Sequence, residues 1–135
     1  MDAGEGTAEP KPDDFARMNF PVLTATGYFD DDQPGSLRYY RRHIANAPRA
    51  AAQKHFLVIG PWDHIDTYHP VKEIEGLAIP ESAILAMDKL RADWYDWVLG
   101  RGPQPALLKD RVTYFMMGLT SGDMPRRSKP LPPAN

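Results

Sequence analysis

Two apolar runs, each ended by a glycine, dominate the hydrophobic pattern of this chain. Residues 56–59 are apolar without interruption, which is typical of a strand buried on both faces, as in a parallel α/β sheet. Residues 21–26 form a second short run, mostly apolar, that begins with a proline. Gly27 ends this run, and Gly60 with Pro61 ends the other. The pattern therefore predicts two strands of one sheet.

The segment between these strands has helical spacing. Residues 34–47 place four apolar side chains on one face, and the segment begins with a proline, which suits a first helical position. The four side chains are Leu37, Tyr40, Ile44 and Ala47. Strand, helix and strand make a βαβ unit, whose connection is right-handed in ~98% of cases. The fold class predicted from this pattern is α/β.

The clearest helical period lies further along, at residues 81–99. Its apolar stripe predicts the longest helix, with Gly100 as the stop, and consists of Ile84, Met87, Leu90, Trp94, Trp97 and Val98. Tryptophans at this spacing indicate core packing rather than a ligand site. Residues 65–80 have no period and predict a loop, whereas partial alternation at residues 111–117 predicts one more strand.

Composition limits the classes of function. With 135 residues, one domain is expected, and a net charge of −2 with a pI near 6.0 argues against a nucleic-acid or anionic membrane surface. The absence of cysteine excludes disulfides and thiolate metal sites. No apolar run approaches the ~20 residues of a membrane span, and no signal peptide is recognisable. The compartment stays open, since the chain as it stands would be cytoplasmic whereas a longer parent could be exported; no cofactor is expected.

Asp30 and His64 are the candidate functional residues. Each follows a strand-ending glycine by three or four positions, and parallel strands send their loops out at the same edge, where open α/β sheets place their ligands. Neighbouring strands lie only ~4.8 Å apart, so the carboxylate could hold the imidazole in one tautomer and stabilise its protonated form. The alternative is that His64 is a loop histidine bonded to a nearby carbonyl.

Other polar residues are interpreted as structural. Asp31 and Asp32 are expected to form a solvated loop before the helix, with a cation site as the alternative. A solvated basic face is expected from Arg38, Arg41, Arg42 and His43. His55 is interpreted as a strand-edge histidine. A metal site formed by His64, His69 and Asp66 is disfavoured, because zinc needs a defined ligand set.

Two short motifs resemble the signature blocks of a known enzyme family. Gly-Tyr-Phe-Asp at 27–30 and Gly-Pro-Trp-Asp-His at 60–64 are similar to Gly-Trp-Tyr-Asp and Gly-Pro-Trp-x-His of the cocaine esterase/X-prolyl dipeptidyl peptidase family. The resemblance extends over roughly residues 20–118. It implies an α/β-hydrolase fold, a serine hydrolase activity on ester or peptide/amide bonds, and the triad roles of acid for Asp30 and base for His64. Enzymes of this superfamily also use acidic residues to recognise substrate amines, a further alternative for Asp31 and Asp32.

The sequence departs from this family at the nucleophile. The family carries its serine in a Gly-x-Ser-x-Gly elbow upstream of the acid, and no serine here has that context; the four are Ser36, Ser82, Ser121 and Ser128. The expectation is therefore a partial α/β-hydrolase fold that supplies the acid and the base. The alternative is a non-catalytic fragment or an interaction half that needs another chain.

The resemblance also suggests a division of the chain. Residues 1–19 are expected to be a flexible segment, and residues 20–100 the C-terminal part of the hydrolase domain. Residues 101–118 would be a linker and the first strand of a truncated jelly-roll domain, a strand left without a partner, followed by a disordered tail at 119–135. The expected partner is a small-molecule or peptide acyl substrate in the parent protein. Self-association through uncovered sheet edges is also expected.

Overall fold

A computed structural model describes residues 10–117 and 126–127. Its helices and strands follow in chain order as α1 (Pro12–Ala16), β1 (Val22–Gly27), α2 (Gln33–Asn46), α3 (Arg49–Ala52), β2 (His55–Gly60), β3 (Glu73–Ile74), β4 (Leu77–Ala78), α4 (Met87–Val98), β5 (Val112–Tyr114) and β6 (Arg126–Arg127). Two short 3₁₀ helices, Glu81–Ala83 and Ala106–Leu108, lie on either side of α4. None of the described helices is long and apolar enough to cross a membrane.

The main sheet has the strand order β1-β2-β5-β6. The first three strands are parallel, and β6 is antiparallel to β5. In the register of β1 and β2, Val22 pairs with His55 and Gly27 pairs with Gly60. The two strand-ending glycines are thus direct neighbours, so the loops that follow them leave the same edge of the sheet. This confirms the predicted βαβ unit and the general α/β class.

Helices cover both faces of β2. His55 contacts Tyr40 on α2, whereas Phe56, which points the other way along the strand, contacts Trp97 on α4. The main core lies on the α4 side and includes Phe56, Val58, Trp62, Met87, Leu90, Trp94, Leu108 and Phe115. From β1 to β2 and then to β5, the chain moves across the sheet in one direction. The helix of the first connection, α2, and the helix of the second, α4, lie on opposite faces of the sheet. The two connections therefore have opposite handedness. One of them therefore departs from the right-handed rule.

The helix predicted at residues 81–99 is shorter than expected. The structure has a 3₁₀ turn at Glu81–Ala83 and begins α4 only at Met87. The backbone leaves the helical region between the two elements, where Ile84 and Ala86 have ψ of 79° and 78°. The indole Nε1–H of Trp62 holds this segment by donating to the carbonyl oxygen of Ala83 at 2.9 Å. The start predicted at residue 81 was wrong.

Two other segments differ from the sequence-based expectations. The strand predicted at 111–117 is the short β5, which is paired in parallel with β2 and is not without a partner. The predicted loop 65–80 contains the β3–β4 hairpin, whose turn residues Glu75 and Gly76 have positive φ of 48° and 84°. Such a pair of angles is typical of a type I′ turn.

The terminal predictions fall largely on residues that the structure does not describe. Residues 1–9 lie outside it, but the rest of the expected flexible segment includes α1, whose Phe15 is fully buried. Apart from the backbone of β6, the tail predicted as disordered also lies outside the described residues.

The positions of two histidines contradict the sequence interpretation. His43 was expected on a solvated face and His55 at a strand edge, yet both side chains are fully buried. The sheet-facing side of α2 is formed by Tyr40 and His43, three positions apart, while Leu37 and Ile44 are only half buried. The helix is therefore rotated relative to the stripe that the apolar residues alone suggested.

Candidate functional site

Backbone hydrogen bonds join the two loops that follow β1 and β2. The amide of Tyr28 donates to the carbonyl oxygen of Gly60 at 2.9 Å, and the amide of Phe29 donates to that of Trp62 at 3.0 Å. Gly27 permits this approach, because a Cβ at that position would overlap the carbonyl group of Trp62. The first motif thus needs its glycine for contact with the second.

Trp62 fixes the loop that carries His64. Its side chain is fully buried, packs beside Phe115 and donates to the carbonyl of Ala83. The indole ring folds back over Gly60 so closely that a Cβ there would overlap it. The Gly-Pro-Trp segment is therefore a buried anchor placed two residues before the histidine.

Asp30 is held by three neighbours and is only 8% exposed. The Thr26 hydroxyl donates to its Oδ2 at 3.0 Å, and the amide of Asp32 donates to its Oδ1 at 3.0 Å. Nδ1 of His64 lies 3.2 Å from the same Oδ1. Because an ionised carboxylate only accepts hydrogen bonds, Nδ1 must carry the hydrogen, and the other ring nitrogen, Nε2, is left for a reacting group.

The electrostatics of the pair favour a carboxylate beside an imidazolium. Burial raises the pKa of Asp30, but hydrogen bonds from the Asp32 amide, His64 and Thr26 outweigh it and hold the pKa below its usual value. The hydrogen bond to Asp30, and then the charge of Asp30, raise the pKa of His64. Asp32 and Asp31 add smaller contributions in the same direction.

The neighbouring aspartates are poorer partners for His64. Asp32 places its Oδ2 3.5 Å from Nδ1, but its side chain is 75% exposed. Asp63 is turned away, because its Oδ1 accepts the amide of Asp66 at 2.8 Å. The structure therefore brings the two residues singled out in the sequence, Asp30 and His64, into contact, although their catalytic roles remain a prediction.

In the described part of the chain, the side chains that could hold a cation lie at the pair itself. Among residues 10–117, the single group with the spacing for a metal ion is Asp30, Asp32 and His64, whose ligand atoms all lie within 4.8 Å of one another. Asp66 and His69 do not join that group, so the disfavoured metal set of His64, His69 and Asp66 does not assemble. A cation at the pair would take Nδ1 and so replace the hydrogen bond to Asp30.

The rim of the site carries large exposed apolar side chains. They are Tyr28, Phe29, Ile65 and Tyr68. The Tyr68 ring lies 6.5 Å from the His64 ring, between centroids, and the guanidinium of Arg91 lies 4.7 Å from the centre of the Tyr68 ring. Arg91 also donates to the carbonyl of Thr67 at 2.9 Å, so α4 braces the loop after His64.

Sequence reasoning missed Thr26 and Arg91. Thr26 is the last side chain of β1 before the glycine, and its distance of four residues from Asp30 was a signal available in the sequence. Arg91 has no local signal, since its contact with Tyr68 depends on how α4 packs. Of the four serines, Ser36 lies in α2 and Ser82 in the 3₁₀ turn before α4, while Ser121 and Ser128 lie outside the described residues.

No protein-family model matches this chain, and no curated protein matches it. The resemblance to the cocaine esterase/X-prolyl dipeptidyl peptidase family therefore rests on the two motifs and stays a prediction.

Proposed function

We propose that this chain supplies the acid and the base of a Ser-Asp-His triad that hydrolyses ester or peptide/amide bonds. The proposal includes the finer fold assignment, a partial α/β-hydrolase domain. The observation that carries it is the 3.2 Å contact between Asp30 Oδ1 and His64 Nδ1 at the carboxyl edge of two parallel strands. A buried acid beside a half-exposed histidine, with Nε2 left for the reaction, is the arrangement such a triad needs.

The chemistry assigned to the pair is proton transfer. Nε2 of His64 accepts the proton of a serine hydroxyl as its oxygen attacks the acyl carbonyl, and then delivers that proton to the leaving oxygen or nitrogen. Water repeats the cycle on the acyl-enzyme and regenerates the serine. Asp30 keeps the hydrogen on Nδ1 and stabilises the imidazolium that forms in each half-reaction.

The serine is proposed to come from a polypeptide segment that this sequence does not contain. None of its four serines has the Gly-x-Ser-x-Gly context. The assignment of residues 101–118 to a linker and the start of a following β domain rests on the resemblance alone, because β5 is paired in parallel with β2 in the main sheet.

Co-expression tests the proposal. The reading frame immediately upstream of the gene should encode a Gly-x-Ser-x-Gly segment, and its product together with this chain should hydrolyse p-nitrophenyl acetate. His64→Asn and Asp30→Asn should abolish or strongly reduce turnover, by at least about 10³-fold for the base. His69→Asn, which changes an exposed histidine in the loop after His64, should leave the rate unchanged. A complex that forms but never hydrolyses the ester would favour the non-catalytic interaction half.

The chain alone should not react with a fluorophosphonate probe. A triad without its serine has no nucleophile to trap the reagent. Covalent labelling of the isolated chain, located by peptide mass mapping, would show that one of the four serines is itself activated and would contradict the assignment of the nucleophile to another segment.

A further inference from the structure

Two histidines that the proposed reaction does not use meet inside the protein. His43 of α2 and His55 of β2 are fully buried, with their rings nearly perpendicular and the centroids 4.7 Å apart. Their Nδ1 atoms are 3.1 Å apart. That contact is a hydrogen bond only if one Nδ1 carries a hydrogen and the other does not. Protonating both rings would bring two N–H groups and two positive charges together.

The surroundings offer little to compensate such charge. Nε2 of His55 is 2.9 Å from the hydroxyl of Thr24, and Nε2 of His43 is buried without a hydrogen-bond partner in the described part of the chain. Aromatic rings enclose the rest of the pair. These rings belong to Phe15, Tyr39 and Tyr40.

No carboxylate of the described residues acts on the pKa of either ring, and burial is the main cause of the lowered pKa in both. Each element packed against the two rings contributes uncharged groups toward them: Phe15 from α1, Tyr39 and Tyr40 from α2, and Thr24 from β1. The charged residues next to the pair along the chain are Arg41, Arg42 and Lys54; Arg111 acts on Tyr40, and Asp32 lines a surface hollow together with Thr24 and Tyr39. The acidic side chain of α1 nearest in sequence, Asp14, is engaged with Arg17 at the surface.

The pair also joins the α2 layer to the sheet. His43 lies in the last turn of α2, and through Phe15 it contacts α1 as well. The other end of α2 begins directly after Asp32, and Gln33 there donates to the carbonyl of Gly27 at 2.8 Å. Movement of α2 away from the sheet would therefore displace the loop that carries Asp30.

We propose that the His43–His55 pair is a proton-operated lock, which holds α1 and α2 on the sheet when it is neutral and releases them when both rings are protonated. The side of the sheet covered by α4 stays packed in the released state. Because Asp30 precedes α2, release separates Asp30 from His64 and disables that pair in acid. The lock does not depend on the proposed hydrolase activity, since its parts lie at the opposite end of the strands.

The direction of the pH effect follows from burial. Burial lowers the pKa of His43, and burial together with the neighbouring His43 ring lowers the pKa of His55 to about 3. A histidine with a lowered folded pKa contributes stability that is complete above the unfolded value near 6.5 and is lost as the pH falls below it. Release should therefore consume two protons in mildly acidic solution, where carboxylates of ordinary pKa titrate little.

The test follows α2 and α4 separately in the intact chain. Assigned amide resonances of each helix are monitored in urea titrations between pH 6 and pH 5, and the emission of the three tryptophans reports the α4 side, where all of them pack. The equilibrium constant for loss of the α2 signals should rise about sixtyfold from pH 6 to pH 5 if two histidines with an unfolded pKa near 6.5 take up protons. The α4 amides and the tryptophan emission should persist to higher urea.

Variants locate the effect in the pair. His43→Asn keeps a hydrogen-bonding group near the Nδ1 position but removes one titrating ring, so the rise of that equilibrium constant from pH 6 to pH 5 should fall to about eightfold. His69→Asn should behave as the wild type. Three results would overturn the lock: an unchanged dependence in His43→Asn, simultaneous loss of α2 and α4, or ordinary titration of His43 or His55 near pH 6.5 within the folded wild type. The wild-type measurements decide the matter even if the variant fails to fold.

Discussion

At the scale of single residues, Asp30 and His64 stabilise each other's charged forms. The pKa of His64 is raised, so its contribution to stability is complete below the unfolded value of 6.5 and is lost as the pH rises through the folded value. The pKa of Asp30 is lowered, so its contribution is present above 3.8 and is lost as the pH falls through the folded value. The ion pair is therefore intact between the two folded pKa values.

Replacing Asp30 should remove its effect on the pKa of His64. Asp30→Asn removes the charge and the acceptor at Nδ1, so the pKa of His64 should fall back toward 6.5, as measured by titration of its imidazole resonances. Asp32→Asn is the matched control and should have a smaller effect, because Asp32 is more exposed and contributes less. An equal or larger shift with Asp32→Asn would assign the acid to the wrong residue.

Gly27 is the position where a single methyl group matters most for the site. Gly27→Ala should destabilise the chain by ~3 kcal/mol or more, because the new Cβ meets the backbone of Trp62 and the loops must separate. Gly35→Ala is the control, since a Cβ there has open space within α2 and should stabilise by ~0.4–1 kcal/mol. Urea denaturation of both variants measures the difference; similar stabilities would contradict the close approach of the loops.

At the scale of elements, the hydrophobic pattern of the sequence predicted those strands and helices that depend mainly on neighbouring residues. The strands at 21–26 and 56–59 and the helix between them were recognisable from apolar runs, a glycine stop and helical spacing. The meeting of Asp30 with His64 followed because parallel neighbours share a direction. The later start of α4 and the rotation of α2 toward His43 were not predictable, since the first depends on Trp62 reaching Ala83 and the second on a buried partner, His55.

The indole of Trp62 is what ties the loop of His64 to the segment before α4. Trp62→Phe should cost ~1–3 kcal/mol for the unsatisfied carbonyl of Ala83, in addition to the lost ring volume. Trp94→Phe is a close control, because the indole N–H of Trp94 is buried without a hydrogen-bond partner in the described residues. Thermal denaturation should show the larger loss for Trp62→Phe; the reverse order would mean that the hydrogen bond contributes little.

At the scale of the whole molecule, the sheet has an open side. Within the described strands, β1 is paired on one side only, by β2, and an edge strand offers its free backbone groups to another chain. Large apolar side chains are also exposed at several places, including Phe20 just before β1. Both features fit a chain that completes its surface by binding another polypeptide.

We therefore expect concentration-dependent self-association, detectable by sedimentation velocity, when the chain is studied alone. Phe20→Lys places a charge beside the open edge at a side chain that is 53% exposed, so it should reduce association without lowering the thermal midpoint. Tyr95→Lys is matched in exposure, at 58%, but lies on α4 and should leave association unchanged. A wild-type chain that stays monomeric at all concentrations would show that the β1 edge is already protected, whereas equal effects of the two variants would indicate association through exposed apolar surface in general.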